Sequence, residues 1–205
     1  MTLTTSTTTT PTIPASAPAK QQQLVHTAFT LFYRDSIHGV GINQILQESG
    51  IAKKTLYHHF ASKDELVLAV LAYRDEVFFS WLQSRIHHAA TAEALVQNWF
   101  AALDDWFHNR VAELQEFRGC FFMHSAAEFT DPAHPVHQHC AQHKARLCRM
   151  LGKQLGQWLD IKSAKKLADD LCLLKEGAIV CAQVQGNKKA ARQAALIASG
   201  LLRHL

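Results

Sequence analysis

The apolar residues of this chain recur mostly at intervals of three and four positions, which is the period of an amphipathic α-helix. The first periodic segment begins near Lys20 and keeps its apolar face as far as Phe32. Long alternations of Val, Ile and Thr, which would indicate strands, are absent. The pattern therefore predicts an all-α protein of about nine helices.

Residues that start and end helices set the predicted bounds. Gly50 ends one helix as a left-handed residue would, and Ser62 with Glu65 forms a capping box at the start of a long one. Pro132 and Pro135 mark a loop. The predicted helices lie at about 20–36, 42–49, 52–59, 63–88, 91–109, within 117–129, and at 135–159, 163–185 and 187–203.

Residues 42–60 read as helix, glycine turn and helix, which is the helix-turn-helix pattern. Its apolar positions, among them Leu56 and Phe60, face inward and fix the angle between the helices. The second helix leaves two lysines, a threonine, a tyrosine and histidines for its free side, a set that suits an anionic, hydrogen-bonding partner. The second helix of such a motif can enter the major groove of DNA.

Composition divides the chain into three predicted parts. Residues 1–19 are rich in Thr, Ser, Pro and Ala and predict a disordered tail. Residues 20–65 predict a helix-turn-helix DNA-binding domain, and residues 66–205 a larger helical domain for ligand binding and dimerisation. No apolar run approaches the roughly 20 residues that span a bilayer, and no secretory signal is present, so we expect a cytoplasmic protein without membrane contact.

Charge favours a polyanion only through its placement. The formal net charge of the chain is +4, and residues 20–65 carry five basic against four acidic side chains. Lys53 and Lys54, however, lie side by side on the second helix of the motif. No glycine-rich phosphate loop, GxSxG or HExxH occurs, so we expect neither an enzyme nor a cofactor.

The segment GIAKKTLYHHFASKDELVLAV resembles the signature of the TetR family of bacterial transcriptional regulators. Two further segments, GCFFMHSAAEF followed by DPAHP and KLADDLCLLKEGAIVCAQVQG, resemble the ligand and dimerisation regions of the family. The resemblance implies a homodimer that reads a pseudo-palindromic operator on double-stranded DNA. It also implies a small-molecule effector that releases the DNA, and most members act as repressors.

The resemblance assigns DNA contacts position by position. Lys53, Lys54, Thr55 and His58 match positions that reach bases or backbone, while Tyr57 and Lys63 match positions that contact phosphate. The family often places Thr or Ser where this chain has Gly41, so Asn43 is the candidate to replace that phosphate contact. His59 matches a position that more often packs within the domain.

Two further sets of residues are predicted in the second domain. Aromatic and polar side chains are candidates to line the effector pocket: Trp99, Phe100, Trp106, Phe107, Phe121, Phe122, His124, Glu128 and Phe129. The last two helices, which resemble the family's dimerisation helices, carry faces with small side chains that allow close helix approach. Those residues are Leu167, Leu171, Leu174, Ala178, Ala191, Ala194, Ala195 and Ala198.

The residues leave two alternatives open, both for a regulator of the same fold. His137, His139, Cys140 and His143 have spacings that can hold zinc, although histidines in an apolar stripe more often lie in a core, and we predict no metal site. Cys120 follows a basic residue that favours its thiolate, so it could sense thiol-reactive compounds. The five cysteines, an odd number without CxxC, otherwise predict reduced thiols.

Overall fold

The computed structural model of the protein describes residues 18–204, so the predicted tail lies outside the described residues except for its last two positions. Within residues 18–204 the chain forms nine α-helices, one short 3-10 helix at Ala112–Leu114 and no strand, which confirms the all-α prediction. The helices are α1 (Ala19–Asp35), α2 (Ile42–Ser49), α3 (Lys53–His59), α4 (Lys63–Ile86), α5 (Ala92–Phe107), α6 (Phe121–Glu128), α7 (Pro135–Leu155), α8 (Ile161–Val184) and α9 (Ala190–Arg203).

Local hydrogen bonds explain where two helix ends differ from the predicted bounds. α7 ends at Leu155 rather than near residue 159, because the N–H of Trp158 turns back to the Leu155 carbonyl at 3.0 Å and tightens the last turn. α9 begins at Ala190 rather than 187. Asn187 Oδ1 accepts a hydrogen bond from the Lys189 N–H at 3.1 Å, which makes a side-chain turn before the helix.

The first of two compact units comprises residues 18–74 and 122–140 of the described chain. Its core centres on α1, which packs against α2 and α3. Leu24, Val25 and Ala28 have no exposed surface, as their helical spacing predicts. Gln23 Nε2 donates to the Ser49 carbonyl oxygen at 2.8 Å, so α1 also holds the end of α2 just before the turn.

The second unit comprises residues 75–121 and 141–204 of the described chain. Here α9 packs against both α5 and α8. Asp104 of α5 accepts hydrogen bonds from Arg192 of α9 at 3.0 Å and from Arg110 at 2.5 Å. The charge-assisted bond from Arg192 joins α9 to α5 beside their apolar contact, while Arg110 ties the segment after α5 back to that helix.

The predicted domain boundary at residue 65 falls inside a continuous helix, since α4 runs from Lys63 to Ile86. Residues 66–74 and 122–140 belong to the same compact unit as the helix-turn-helix. The assignment of DNA-binding and ligand-binding roles to the two parts of the chain stays a prediction. Within the described range, no helix combines the length and the apolar character needed to cross a membrane.

Two cysteines depart from the expectation of reduced thiols. Cys148 of α7 and Cys172 of α8 form a disulfide, with their Cα atoms 6.2 Å apart. They are 24 residues apart and belong to no motif, so only the pairing of the two helices brings them together. Cys120, Cys140 and Cys181 are free thiols.

The residues predicted for dimerisation mostly face the interior of their own unit, which corrects their assignment. Six are at most 5% exposed, namely Leu167, Leu171, Ala178, Ala191, Ala194 and Ala198, while Leu174 and Ala195 are half-buried. Helical periodicity identifies an apolar stripe but cannot distinguish packing within a chain from packing between chains. The large apolar residues that α8 and α9 expose are Ile161, Leu173, Val180, Val184, Leu196 and Ile197.

Candidate nucleic-acid interface

The turn between α2 and α3 is fixed by one glycine and a small apolar core. Gly50 has a φ of +64°, in the left-handed region that glycine adopts without strain, which confirms its predicted role. Ile45 and Leu56 have no exposed surface, and Phe60 is 4% exposed. Burial of these side chains sets the angle at which α3 is held and leaves its opposite side to solvent.

The outward side of α3 brings together most of the residues predicted to contact DNA. Lys53, Lys54, Tyr57 and His58 are exposed, whereas Thr55 is half-buried. The Lys53 ammonium lies 6.0 Å from the centroid of the Tyr57 ring, so a cation and a phenol share one patch. We call these four exposed residues the α3 surface.

The electrostatics of the α3 surface favour an anion. α3 contains no acidic residue, and Ala52 at its N-cap offers no side-chain bond. Two lysines in the first turn oppose the positive end of the helix dipole, which costs a little stability. Within residues 18–204 neither lysine forms an ion pair, so phosphate groups could neutralise both.

Asn43, another residue predicted to contact DNA, lies at the start of α2, and His59, predicted to pack within the domain, lies at the end of α3. Asn43 is exposed in the first turn of α2, next to Gly41, which provides no side-chain cap. His59 is half-buried, and its ring lies 5.2 Å from that of His58 and 6.4 Å from that of Phe60. These positions agree with an outward His58 and a packing role for His59.

Lys63 contacts groups within its own chain. Its ammonium donates to the Ile37 carbonyl oxygen at 2.6 Å and lies 5.8 Å from the Phe32 ring centroid. Burial lowers the pKa of Lys63 from its ordinary value, partly offset by Glu128 and Asp64. In this structure Lys63 holds the loop between α1 and α2, and its assignment as a phosphate contact stays a prediction.

The capping box at the start of α4 is present with one change of partner. Ser62 Oγ accepts from the Glu65 N–H at 3.1 Å, as the sequence predicts. The Glu65 carboxylate accepts instead from the Ala61 N–H at 2.7 Å. Both bonds satisfy backbone N–H groups at the start of α4, directly after the helix-turn-helix.

Glu128, at the end of α6, also holds the loop between α1 and α2. Its carboxylate oxygens accept from the Ile37 N–H at 2.8 Å and from the His38 N–H at 2.6 Å. The His38 ring nitrogen Nδ1 lies 3.0 Å from the same carboxylate. Lys63 therefore donates a hydrogen bond to a carbonyl of the loop before α2, and Glu128 accepts hydrogen bonds from two of its amides.

We expect Glu128→Ala to loosen this loop. Loss of the carboxylate leaves the amide of the buried Ile37 without its acceptor, at about 1–3 kcal/mol, and also frees the amide of the exposed His38, so hydrogen exchange of the Ile37 amide should accelerate at least about tenfold. Exchange measured by mass spectrometry on peptides covering residues 36–41 checks this. Glu116→Ala is the matched control, because the Glu116 carboxylate is paired only with the exposed Arg118. Equal protection in both variants would contradict the role of Glu128.

Comparison with known proteins identifies the motif. Residues 24–70, which contain α2, α3 and the start of α4, match the model described as bacterial regulatory proteins of the tetR family. A TetR-family transcriptional regulator from Streptomyces coelicolor has a similar structure, with a TM-score of 0.79 and 28% identity over 90% of this chain and 95% of that one. Residues 24–70 are a TetR-family helix-turn-helix region.

Curated relatives of this chain match over part of their length. An uncharacterised HTH-type transcriptional regulator, YxaF of Bacillus subtilis, is 29% identical over 90 residues, 43% of this chain and 47% of that protein. The HTH-type transcriptional repressor KstR2 of Rhodococcus jostii is 32% identical over 101 residues, 47% of this chain and 49% of that protein. The chain thus spans about half the length of the curated relatives it matches.

The candidates for an effector pocket are divided between the two compact units. Five belong to the second unit, and Phe122, His124, Glu128 and Phe129 to the first. A cavity of about 360 Å³ between α5 and α9 includes Phe100, and one of about 490 Å³ between α7 and α8 includes none of the nine. Six of the aromatic candidates are at most 2% exposed, namely Trp99, Phe100, Trp106, Phe107, Phe121 and Phe122, and their role in an effector pocket stays a prediction.

The histidines considered for a metal site bond within the protein instead. His137 Nδ1 lies 2.8 Å from the Phe129 carbonyl oxygen, and His143 Nδ1 lies 2.5 Å from Asp75 Oδ1. Across the part of the chain that the structure describes, no group of three or more His, Cys, Asp or Glu side chains is arranged to hold a metal ion. We do not carry the metal-responsive alternative further.

Proposed function

We propose that the protein is a cytoplasmic, DNA-binding transcriptional regulator that binds a pseudo-palindromic operator as a homodimer. The α3 surface carries this proposal, because it places two lysines, a phenol and an imidazole on the free side of the second helix of a helix-turn-helix. Such a helix can enter the major groove, where lysines bond guanine acceptors or phosphates. The TetR-family helix-turn-helix region supports the same function, since TetR-family regulators are non-enzymatic transcription factors.

Repression released by a small molecule is the finer part of the proposal. KstR2 of Rhodococcus jostii is named a repressor, which supports that sign of regulation. The indole N–H groups of Trp99 and Trp106 are buried and have no hydrogen-bond partner among the described residues. They lie seven residues apart on one face of α5, and each unsatisfied donor costs about 1–3 kcal/mol. A mainly apolar effector with a hydrogen-bond acceptor would relieve that cost.

Dimerisation is proposed through the exposed apolar side chains of α8 and α9. Leu173, Val184 and Leu196 are 74%, 74% and 75% exposed, which is unusual for large apolar residues. Leu173, Val180 and Val184 are spaced at helical intervals along one side of α8. Their burial against a second copy of the chain would remove this apolar surface from water.

Selection of duplexes from a random library by the purified full chain tests the proposal. We expect a selected site with two similar half-sites, bound by two chains per duplex in sedimentation analysis. Affinity should fall steeply with salt, because lysine–phosphate contacts release counterions. A protein that selects no sequence and shows no salt-dependent duplex binding would not be the proposed regulator.

A thiol-responsive regulator is the second candidate, and the surroundings of Cys120 favour it. The Lys144 ammonium lies 3.2 Å from Cys120 Sγ and 2.6 Å from Glu176 Oε2. The Lys175 ammonium, 2% exposed, lies 2.7 Å from Glu176 Oε1. Burial raises the pKa of Glu176, but Lys175 and Lys144 outweigh it and hold the pKa at about 2. The buried Lys175 and the half-buried Lys144 thus share one carboxylate, and the Lys144 ammonium also lies against the Cys120 sulfur, which is a setting that favours reactive thiols.

Alkylation rates separate this candidate from an inert buried thiol. We expect Cys120 to react with N-ethylmaleimide faster than Cys140. The variant Lys144→Met should lower the alkylation rate of Cys120 at least about tenfold, because it removes the cation beside the sulfur. An electrophile should release operator from the wild type but not from Cys120→Ser. If Cys140→Ser and Cys120→Ser behave alike in the release assay, the thiol-responsive candidate is wrong.

A further inference from the structure

The disulfide between Cys148 and Cys172 borders a groove that the proposed regulator does not use. The groove has a volume of about 490 Å³ and lies between the C-terminal half of α7 and the N-terminal half of α8. Cys148 lines it and is half-buried, whereas Cys172 is 8% exposed and does not line it. Of the two sulfur-bearing side chains, Cys148 is therefore the one that a small molecule in the groove can reach.

Small side chains keep the groove open beside Cys148. Gly152 lies one helical turn after Cys148, and a Cβ atom built on it would lie 3.6 Å from the Ala168 Cβ. Ala164 is also part of the lining. A larger residue at position 152 would fill the space between α7 and α8. The groove thus depends on small residues next to the disulfide.

The rim of the groove is positively charged. Arg149, Lys153 and Lys165 line it, against Asp169 as an acidic member. Lys165 is paired with Asp169 at 2.7 Å. Arg149 and Lys153 are exposed and form no ion pair within residues 18–204. Two uncompensated cations next to Cys148 favour the approach of an anionic molecule.

We propose that Cys148 and Cys172 form a reversible dithiol–disulfide couple that anionic low-molecular-weight thiols open by attacking Cys148 from this groove. Exchange requires a thiolate to approach one sulfur of the disulfide along an open path. The groove gives that path to Cys148, the cationic rim attracts the thiolate, and the buried Cys172 is the leaving group.

The exchange proceeds in two balanced steps. The incoming thiolate forms a bond to Cys148 Sγ, the Cys148–Cys172 bond breaks, and its electron pair and one proton go to Cys172. A second thiol then attacks the sulfur that the first one contributed, which releases Cys148 as a thiol and the small molecules as their own disulfide. The protein gains two electrons and two protons, and two small thiols are oxidised. The reverse sequence uses the small-molecule disulfide as oxidant.

Opening the couple releases α8 from α7 beside an exposed apolar residue. Cys172 directly precedes Leu173, which is 74% exposed. A disulfide that closes a loop of this length stabilises a domain mainly by restricting the unfolded chain. We expect reduction to lower the Tm of the full-length protein by roughly 5–10 °C.

Differential alkylation and peptide mass spectrometry test the proposal on the full chain in glutathione buffers. We expect the Cys148–Cys172 peptide pair to pass from oxidised to reduced as the ratio of glutathione to its disulfide rises. In Cys172→Ser, glutathione disulfide should cap Cys148, whereas in Cys148→Ser it should leave Cys172 unmodified. Absence of the linked peptides at every ratio, or equal capping of the two cysteines, would overturn the proposal.

Charge reversal on the rim provides a second test that does not depend on the cysteine variants folding. The double variant Arg149→Glu, Lys153→Glu should slow reduction by glutathione, whose thiolate form is anionic, about tenfold and should not slow reduction by cysteamine, whose attacking thiolate form carries no net charge because of its ammonium group. The matched control is Lys188→Glu, Lys189→Glu, which reverses two exposed charges away from the groove. Equal slowing of both reductants, or equal effects of both double variants, would show that the rim does not guide the thiol.

Discussion

Replacing Lys53 and Lys54 together by alanine should weaken operator binding by at least about tenfold to a hundredfold. The two ammonium groups are exposed at the start of α3 and carry no ion pair in the described chain, so they are available to DNA. Each base or phosphate contact that is lost costs about 1–3 kcal/mol. The slope of log affinity against log salt should become less steep by about 0.9 for each lost phosphate contact.

A lysine pair elsewhere in the chain controls for net charge. Lys188 and Lys189 are adjacent and exposed, as Lys53 and Lys54 are, but they lie between α8 and α9. Fluorescence anisotropy with the selected duplex over a range of salt concentrations compares the two double variants. If both double variants lose the same affinity and the same salt slope, long-range charge rather than the α3 surface governs binding.

The structure of the helix-turn-helix could be predicted closely because the contacts that determine it join residues close in the sequence. The bounds of α2, the left-handed Gly50 and the bond from Ser62 to Glu65 depend on residues within a few positions of each other. The inward and outward sides of α3 follow from helical period alone, since Leu56 and Phe60 alternate with exposed polar residues. Local rules of this kind need no knowledge of the rest of the fold.

The contacts that the sequence could not predict join residues that are distant in the sequence. Lys63 looked free to contact phosphate, but the Ile37 carbonyl, 26 residues away, accepts its ammonium. Glu128 looked like a pocket anchor, yet its carboxylate bonds amides 90 and 91 residues away. The pairing of Cys148 with Cys172 likewise requires α7 to lie beside α8. Periodicity shows which face is apolar but not which partner it meets.

The bonds of Lys63 and Glu128 to the loop before α2 offer a route by which a change elsewhere could reach the helix-turn-helix. Lys63, at the start of α4, and Glu128, at the end of α6, both hold the loop that precedes α2. A change in the position of either helix end would alter the loop, and through it the start of α2.

Acid should destabilise the protein between about pH 6.5 and pH 4 through His143. This imidazole is 2% exposed, and its Nδ1 donates to Asp75 Oδ1 at 2.5 Å, while Arg146 donates to the other oxygen of Asp75 at 2.7 Å. Burial lowers the pKa of His143 from 6.5 to about 4, because it outweighs the favourable bond to Asp75, and Lys175 and Lys144 oppose a further positive charge.

The direction of the effect follows from which state binds the proton. Between pH 6.5 and about 4 the unfolded chain protonates this histidine and the folded protein does not, so stability falls as the pH falls. At 1.36 kcal/mol per pKa unit the full shift corresponds to about 3 kcal/mol, which is a large part of the stability of an ordinary domain. Glu176, with a pKa of about 2, should contribute a further loss only below about pH 4.5.

Urea unfolding followed by circular dichroism at pH values from 7 to 4 measures this loss. The variant His143→Gln keeps a donor for Asp75 but does not titrate, so its free energy of unfolding should decline by about 3 kcal/mol less than that of the wild type over this range. His88→Gln, at an exposed position, should follow the wild type. If the free energy of unfolding of His143→Gln falls with pH as much as that of the wild type and of His88→Gln, then His143 titrates alike in the folded and unfolded states. The buried imidazole, held neutral between Asp75 and the nearby lysines, would then not be the source of acid sensitivity.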